Sequence, residues 1–451
     1  MRRRAAPDAR PVALTVAGSD SGGGAGIQAD LKTMTACGVF GTSAITSVTA
    51  QNTRGVEGSH LLPTTEIEAQ IDAVLDDFDV MAVKTGMLAT ADVIETVCEY
   101  APDLPNLVVD PVMVATSGDR LLEPDAEAAY EDLLAHATLV TPNADEAAVL
   151  TGIEQESEAD MRAAGEELVE TGATAALIKG GHVSEAGTDA AGGEDEVVDV
   201  LVTAERVETF RHPRVDTDAT HGSGCTLSSA IAAHLARDAD LQSAVAAGVD
   251  LLARAVRYPL DVGQGPGSVH HAVELRDRAA RDPTAERVAE AVERLVARDV
   301  SPLVPAVGMN VAGATPYAER PDEVAAVEGK ITRTRSGVSP NRGVRFGVSS
   351  RVADRLVAVR EADPDRRFAV NCRYDDAVAA ALSELDGSVA ETDDSRQRAV
   401  REAVERPDGR PIAVVNPGGE GVVPTATLLA DDADRLVERT VSVLETIERD
   451  R

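Results

Sequence analysis

Between residues 12 and 226 the chain alternates short apolar, β-branched runs with stretches of helical periodicity, and seven polar or glycine-rich turns fall where those runs end. No other feature constrains the fold as much. Strands separated by helices predict a mainly parallel sheet covered by helices on both faces. Such sheets bind ligands outside the carboxyl ends of their strands. Any one of the turns taken alone reads equally well as an ordinary turn or helix cap; seven in one register point to a site.

The first run, residues 12–17, leads into Gly18-Ser19-Asp20-Ser21-Gly22-Gly23-Gly24-Ala25-Gly26, and a helical pattern follows from Ile27 to Ala36, with Gly38 suited to a C′ position. No Gly-Lys-Ser/Thr closes the loop, so it is not a Walker A motif, and its glycine spacing misses the dinucleotide fingerprint. Asp20 and Asp30 are the side chains expected to hydrogen-bond a small polar ligand there. Residues 41–50 read as a strand that delivers Gln51-Asn52-Thr53, whose amides offer donor and acceptor to a heteroaromatic ring. A helix around 65–76 precedes a strand over 80–88 that carries Lys84-Thr85-Gly86-Met87. Residues 107–114 place Asp110 at a strand end, 139–146 do the same for Asn143 and Glu146, and 175–178 feed Lys179-Gly180-Gly181-His182. A Gly/Asp/Glu-rich hairpin tip is expected over 187–196, before a run at 197–201.

The last of the seven turns, Thr220-His221-Gly222-Ser223-Gly224-Cys225-Thr226, opens straight into an apolar helix pattern running to about Ala236. Glycines on both sides of Ser223 let successive N–H groups point one way, and the helix adds the positive end of its dipole, so negative charge is stabilised there. The alternative is a plain helix N-terminus capped by Thr220 or Ser223. A thiol at this position, Cys225, is expected to have its thiolate favoured. His221 reads as a loop residue rather than a catalyst.

With 451 residues the chain exceeds one ordinary domain. Its 77 acidic against 43 basic residues give a net charge of −34, which disfavours nucleic acid and anionic membranes as partners. Lysines number four (Lys32, Lys84, Lys179, Lys330) while apolar residues make up 43%. A carboxylate-rich, lysine-poor surface over an apolar core fits a protein working in concentrated salt, where self-repulsion is screened. The four cysteines show no C-x-x-C, which argues for a reducing compartment, and no apolar run reaches membrane-span length, nor does Met1-Arg2-Arg3-Arg4 lead into a signal-peptide core. A protein of a halophile's cytoplasm is expected.

With these motifs together, residues 12–260 resemble the hydroxymethylpyrimidine/phosphomethylpyrimidine kinase family of thiamine biosynthesis (ThiD), within the ribokinase-like superfamily. The matching pieces are residues 17–30, Gln51-Asn52-Thr53, Lys84-Thr85-Gly86-Met87, Asp110-Pro111-Val112-Met113, Asn143-x-x-Glu146, Lys179-Gly180-Gly181-His182 and Gly222-Ser223-Gly224-Cys225-Thr226. The resemblance implies ATP-dependent phosphorylation of 4-amino-5-hydroxymethyl-2-methylpyrimidine and then of its monophosphate. It places Gly18, Asp20, Ala25, Asp30, Gln51, Met87 and Val112 around the pyrimidine. Lys179, Asn143 and Thr220 are assigned to ATP, and Glu146 with Asn143 to Mg²⁺ through water. Cys225 takes the position of a catalytic base, beside the anion hole of Gly222, Ser223 and Gly224. A homo-oligomer is also implied. A pyridoxal-type vitamin kinase with a regulatory ligand-binding domain is the alternative.

Residues 286–451 resemble the ThiN-type thiamine-phosphate synthase domain of archaea, through residues 307–318, Glu328-Gly329-Lys330-Ile331 and 368–374, so that the whole looks like a fusion of haloarchaeal type. The organisation expected is a kinase domain over 1–262, a linker over 263–285 and a second α/β domain over 286–451. Asn310 and Asn371 would meet polar rings, and Arg342 and Arg345, with Arg333 and Arg335, would meet phosphates. The chain departs from the family pattern in having Ser349-Ser350-Arg351 where a histidine follows the paired serines. No histidine occurs after His271, and residues 389–412 lack an acidic-arginine block and tryptophan. Two readings of this domain therefore stay open: a synthase using thiazole phosphate, or a degenerate sensor.

Overall fold

The computed structural model describes residues 9–114, 122, 126, 128–180, 196–349, 351–392, 397–405, 410–419 and 421–449. The chain divides into two units, Met1–Leu275 and Arg276–Arg451. In the first, the apolar runs become β1 (Val12–Ser19), β2 (Phe40–Asn52), β3 (Gly55–Leu61), β4 (Val80–Thr85), β5 (Leu107–Val109), β6 (Leu139–Val140), β7 (Ala175–Lys179), β8 (Glu196–Thr203) and β9 (Val207–Pro213). They form one nine-stranded sheet in the order β3-β2-β1-β4-β5-β6-β7-β8-β9. The six strands from β2 to β7 run parallel, and β3, β8 and β9 extend the edges as antiparallel hairpins. Apart from the longer, partly exposed β2, the parallel strands are short and almost wholly buried, as strands covered on both faces must be.

Alternation along these strands separates two faces. Leu14, Val16, Val83, Val109, Val140 and Ile178 point into the main core. That core is closed by α2 (Thr64–Leu75), α3 (Ala91–Tyr100), α4 (Tyr130–Leu134) and α6 (Glu158–Glu170). On the other face lie α1 (Gly26–Ala36), α7 (Ser223–Ala236) and, against α7, α8 (Leu241–Arg257). Here the alternate positions Thr15, Lys84, Asp110, Thr141 and Lys179 form a polar row under α1 and α7, at the carboxyl ends of the strands. The remaining helix of this unit, α5 (Ala144–Thr151), follows β6.

Three expectations change. The hairpin partners β3 and β9 were not anticipated, because their polar, exposed sequences carry little hydrophobic pattern. The strand expected over 107–114 stops at Val109, where Asp110-Pro111 cannot continue the ladder. The stretch 263–285 is not a linker over its whole length. Gly265 N–H donates to Thr53 Oγ1 (3.0 Å), Ser268 and Leu260 bridge, and Ser268 through His271 are buried in the first unit. The division falls instead within α9 (Val273–Ala297), which contains Pro283. The hairpin tip, apart from Glu196, lies outside the described residues, as do Gly181, His182 and Ser350.

The second unit holds β10 (Val311–Ala314), β11 (Val324–Val327), the small hairpin β12 (Ile331–Thr334) with β13 (Gly337–Pro340), and β14 (Val344–Phe346). Then follow α10 (Arg351–Ala362), β15 (Phe368–Arg373), α11 (Asp376–Ser383), β16 (Ser388–Glu391), α12 (Gln397–Val404), β17 (Pro411–Asn416), β18 (Thr425–Ala430) and α13 (Ala433–Arg449). Its seven-stranded sheet, β14-β11-β10-β15-β18-β17-β16, is antiparallel except for β16 with β17. One face packs against the apolar sides of α9, α11 and α13, and the other against α10 and α12. Both units are therefore α/β, the first with the mainly parallel sheet its sequence implies.

Candidate active site

The glycine loop is shaped by one carboxylate. Asp20 is buried, its Oδ1 accepting the N–H of Gly22 (2.8 Å) and its Oδ2 those of Gly24 (2.9 Å) and Ala25 (2.8 Å). Burial works against its charge, but the His221 ring and these N–H groups hold it below the ordinary carboxylate value. Asp20 was expected to meet a ligand; the structure uses it to build the loop. The same loop is tied to the end of β2, where Ser21 Oγ donates to Gln51 O (2.7 Å) and accepts from Gln51 N (2.8 Å). Gly18 N–H donates to Met87 O (3.2 Å), and a Cβ on Gly18 would stand 3.0 Å from Met87 Cε. Gly18, Ala25, Gln51 and Met87 thus gather at one loop cluster. Val112 lies apart in sequence but just past β5, its N–H donating to Asp110 O (2.8 Å).

Asp30 also departs from expectation. Fully buried, it takes Lys84 Nζ on both oxygens (3.0 Å each), Thr15 Oγ1 (2.6 Å) and Ser229 Oγ (2.7 Å). Its hydrogen-bonding capacity is filled by the protein, so it positions and does not bind. Lys84, absent from the residues singled out for the site, is equally buried. Burial disfavours its ammonium, yet Asp30, with Cys225 and Asp110 adding, holds it above its usual value.

A second charged cluster lies along the same row. Asp110 meets Lys179 Nζ (3.1 Å), Ser228 Oγ (3.1 Å) and Thr141 Oγ1 (3.3 Å), and Lys179 Nζ stands 3.9 Å from Glu146 Oε2. Burial opposes the charge of Asp110, but Lys179 and Lys84 outweigh it and keep the carboxyl below its ordinary value. Burial opposes Lys179 as well, and Asp110 and Glu146 hold it above its ordinary value. Glu146 is pushed up to about 7 by burial, against Lys179 and with the help of Asp110. The Asn143-x-x-Glu146 spacing proves to be a capping box at the start of α5: Asn143 Oδ1 accepts Glu146 N–H and Glu146 Oε2 accepts Asn143 N–H, both at 2.8 Å. Asn143 also bridges to Lys179 across the sheet end. The signal for Asp110 was its place at a strand end; its buried partners on α7 have no signature in sequence.

At the head of α7 no side chain caps the helix, contrary to the Thr220 or Ser223 alternative; Gly222 is the N-cap, with φ +82°. Ser223 N–H donates to Thr220 O (3.1 Å). The next first-turn N–H groups, on Gly224 and Cys225, have no acceptor within the helix, an arrangement that favours negative charge. A Cβ on Gly224 would lie 3.4 Å from Lys179 Nζ and 3.6 Å from Asp110 Oδ2, ordinary contact distances, so lysine and carboxylate both reach the helix head. Cys225 corrects an expectation. Burial pushes its thiol up to about 11; Lys84 opposes this, Asp30 and Asp110 reinforce it, and the Gly26 N–H bonded to the sulfur only partly offsets it. Helix-end stabilisation does not outweigh enclosure.

In the second unit the four residues expected at a site do other work. Asn310 Oδ1 accepts Val327 N–H (2.9 Å) and its Nδ2 donates to Val327 O (3.0 Å). Asn371 Oδ1 accepts Asn310 N–H (2.6 Å) and its Nδ2 donates to Gly308 O (3.0 Å). These asparagines complete backbone bonding where β10 leaves the ladder, and are not aimed at a ring. Arg342 and Arg345 are exposed and share Glu328, at 3.0 and 3.4 Å. The cation that sequence reading missed is Arg355 on α10. Half-buried, it donates to Thr427 Oγ1 (2.7 Å), and among the described residues no carboxylate pairs with it. Burial, with Arg351 adding, holds it below the ordinary arginine value.

The chain is similar to known proteins. A family model described as "Thiamine-phosphate synthase ThiN" matches residues 287–442, and one described as "Phosphomethylpyrimidine kinase" matches residues 20–270. The chain is 46% identical over 261 residues to a hydroxymethylpyrimidine/phosphomethylpyrimidine kinase of Haemophilus influenzae, covering 57% of this chain and 95% of that one. It is 44% identical over 283 residues to the thiamine biosynthesis bifunctional protein ThiED of Geobacter sulfurreducens, 61% of this chain and 56% of the other. Among solved structures, an ADP complex of Bacillus subtilis pyridoxal kinase aligns with TM-score 0.53 and 35% identity over 59% of this chain and 98% of that one. The first unit thus has the ribokinase-like fold. With more than half of its length matched by a single family model, and the loop, lysine and helix head of a phosphotransferase assembled at one sheet end, the chain belongs to the phosphomethylpyrimidine kinase family.

Proposed function

We propose that the first unit transfers the γ-phosphoryl group of ATP to the hydroxymethyl oxygen of 4-amino-5-hydroxymethyl-2-methylpyrimidine, and then a second phosphoryl group to the monophosphate. The observation that carries this reading is the approach of Lys179 and Asp110 to the glycine head of α7. Phosphoryl transfer is mostly positioning and charge stabilisation, which Lys179 and the N–H groups of Gly224 and Cys225 supply. Asp110 and Glu146 fit Mg²⁺ arriving with the nucleotide. Two carboxylates completed by phosphate oxygens is how that ion is held, and Glu146, pushed to about 7 by burial and by Asp110, is a carboxyl whose charge a cation would restore. When bound, Mg²⁺ neutralises phosphate charge. In the first reaction the oxygen–phosphorus bond forms as the bond to ADP breaks, and the hydroxyl proton passes to the Cys225 thiolate. In the second the attacking phosphate is already anionic and no such transfer is needed.

The specific support for the alternative, a pyridoxal-type kinase, is the 35% identity to the Bacillus subtilis enzyme. We read the second unit as a ThiN-type domain that binds a phosphorylated thiazole or thiamine ligand without turnover. Ser349-Ser350-Arg351 has no histidine, and Arg355 presents a cation with no carboxylate among the described residues. The acidic surface suits a halophile's cytoplasm of haloarchaeal type, and a homo-oligomer is the expected assembly. One experiment separates these readings: purified protein in high salt with Mg-ATP, hydroxymethylpyrimidine or pyridoxal, and thiazole phosphate. ADP with pyrimidine diphosphate and no thiamine phosphate supports the assignment. Faster turnover of pyridoxal favours the alternative, thiamine phosphate makes the second unit a synthase, and absence of ADP ends the kinase reading.

A further inference from the structure

The glycine loop and the head of α7 come from opposite ends of the first unit's sequence, yet their backbones touch. A Cβ on Gly222 would stand 1.8 Å from Gly24 O, and Gly222 has φ +82°, so glycine is required there twice over. His221 closes the contact: its Nε2 lies 3.1 Å from Asp20 Oδ2, the oxygen that also takes the N–H groups of Gly24 and Ala25. A third segment fastens both sides. Val269 N–H donates to His221 O (3.3 Å), and His271 Nε2 lies 3.0 Å from Gly24 O. Burial drops His271 to about 4, so its ring is neutral and its Nε2–H donates to that carbonyl.

We propose that His221 is a positioning residue that makes the pyrimidine loop and the anion hole one mechanical unit, so that occupying either one orders the other. This rests on the kinase reading of the site. Among the described residues, the Asp20 carboxylate holds both the loop's N–H groups and a side chain from the helix head. A ligand ordering the loop therefore fixes Asp20, which fixes His221 and with it the turn at Gly222. By linkage the coupling is reciprocal.

The test is titration of the protein with a non-hydrolysable ATP analogue and Mg²⁺, with and without hydroxymethylpyrimidine, alongside ADP release in steady state. In the unaltered protein the pyrimidine is expected to tighten the analogue by about 5- to 150-fold, the usual span of such coupling. His221→Ala should bring that ratio to about one while leaving the affinity for each ligand alone nearly unchanged. His221→Gln, which keeps a donor within reach of Asp20, should retain most of the ratio, and His221→Asn, whose amide is shorter, should lose it. The Gln and Asn pair decides the matter if the alanine variant does not fold. His136→Ala, on the exposed surface, should match the unaltered protein. A ratio of one in the unaltered protein, or a ratio indifferent to His221, overturns the proposal. Absence of ADP release from the unaltered protein would instead remove the kinase reading beneath it.

Discussion

The two units place their polar residues at sheet ends in opposite ways. In the first, each buried ammonium has its carboxylate: Lys84 with Asp30, Lys179 with Asp110 and Glu146. In the second, Arg342 and Arg345 share one carboxylate on the surface, the asparagines are consumed by backbone groups, and Arg355 donates to Thr427 with no carboxylate beside it among the described residues. A site that passes a highly charged group between two ligands must hold its own charges in balance before either arrives.

Breaking the balance in the first unit should have the largest effect. Lys84→Met leaves Asp30 charged and buried, and is expected to cost about 3–5 kcal/mol of stability. Pairing it with Asp30→Leu should recover much of that. Denaturant midpoints of the single and double variants measure both, and a double variant no better than the single would mean that packing, not charge, governs the pair. Next, Lys179→Ala should lower kcat on the order of 10²- to 10³-fold, as loss of one stabilising donor does elsewhere. Arg342→Ala, in the second unit, should leave the kinase rate unchanged.

The pH response sharpens the comparison within the first unit. A thiol raised to about 11 is protonated at neutral pH, so the thiolate fraction grows about tenfold per unit up to that value. Phosphorylation of the alcohol should therefore accelerate as pH rises, and phosphorylation of the monophosphate should not share that slope. Parallel profiles for the two substrates would remove Cys225 as the proton acceptor. Smallest in stability are the arginines of the second unit. Arg355→Leu should leave stability unchanged or raise it by about 1 kcal/mol, since it removes a half-buried charge that has no carboxylate among the described residues. The same change should abolish saturable binding of thiazole phosphate, followed by calorimetry. Arg345→Ala, an exposed pair, should cost about 0–1 kcal/mol and leave that binding intact.

Much of the first unit was legible in the chain. Parallel strands, glycine loop and helix head all announce themselves through short-range pattern, because apolar runs and positive-φ turns are local facts. What a side chain does at the end of a strand is not local. Asp30 and Asn371 look like ligand-binding groups until Lys84, Thr15 and Ser229, or Asn310 and Gly308, are seen to occupy them. Cys225 at a helix head reads as acidified, but the sequence carries no measure of how deeply the fold encloses it. The stretch at 268–271 looked like part of a linker because glycines and a proline precede it; burial of Val269 and His271 in the first unit depends on partners more than forty residues away. Asn143 with Glu146 was found by spacing, and in the structure that spacing makes a helix cap.

The polar row under α1 and α7 has one more effect, on how the sheet is assembled. Thr15, Lys84, Asp110 and Lys179 alternate with Leu14, Val83, Val109 and Ile178, which face the main core. Sliding any one of these strands by a single residue against its neighbours would turn its charged or hydroxyl group into that core and its aliphatic group toward Asp30 or Asp110. Few misaligned sheets could tolerate an ammonium among leucines and valines. These buried polar residues would thereby also act during folding as a check on strand alignment, rejecting mispaired intermediates before any substrate is present.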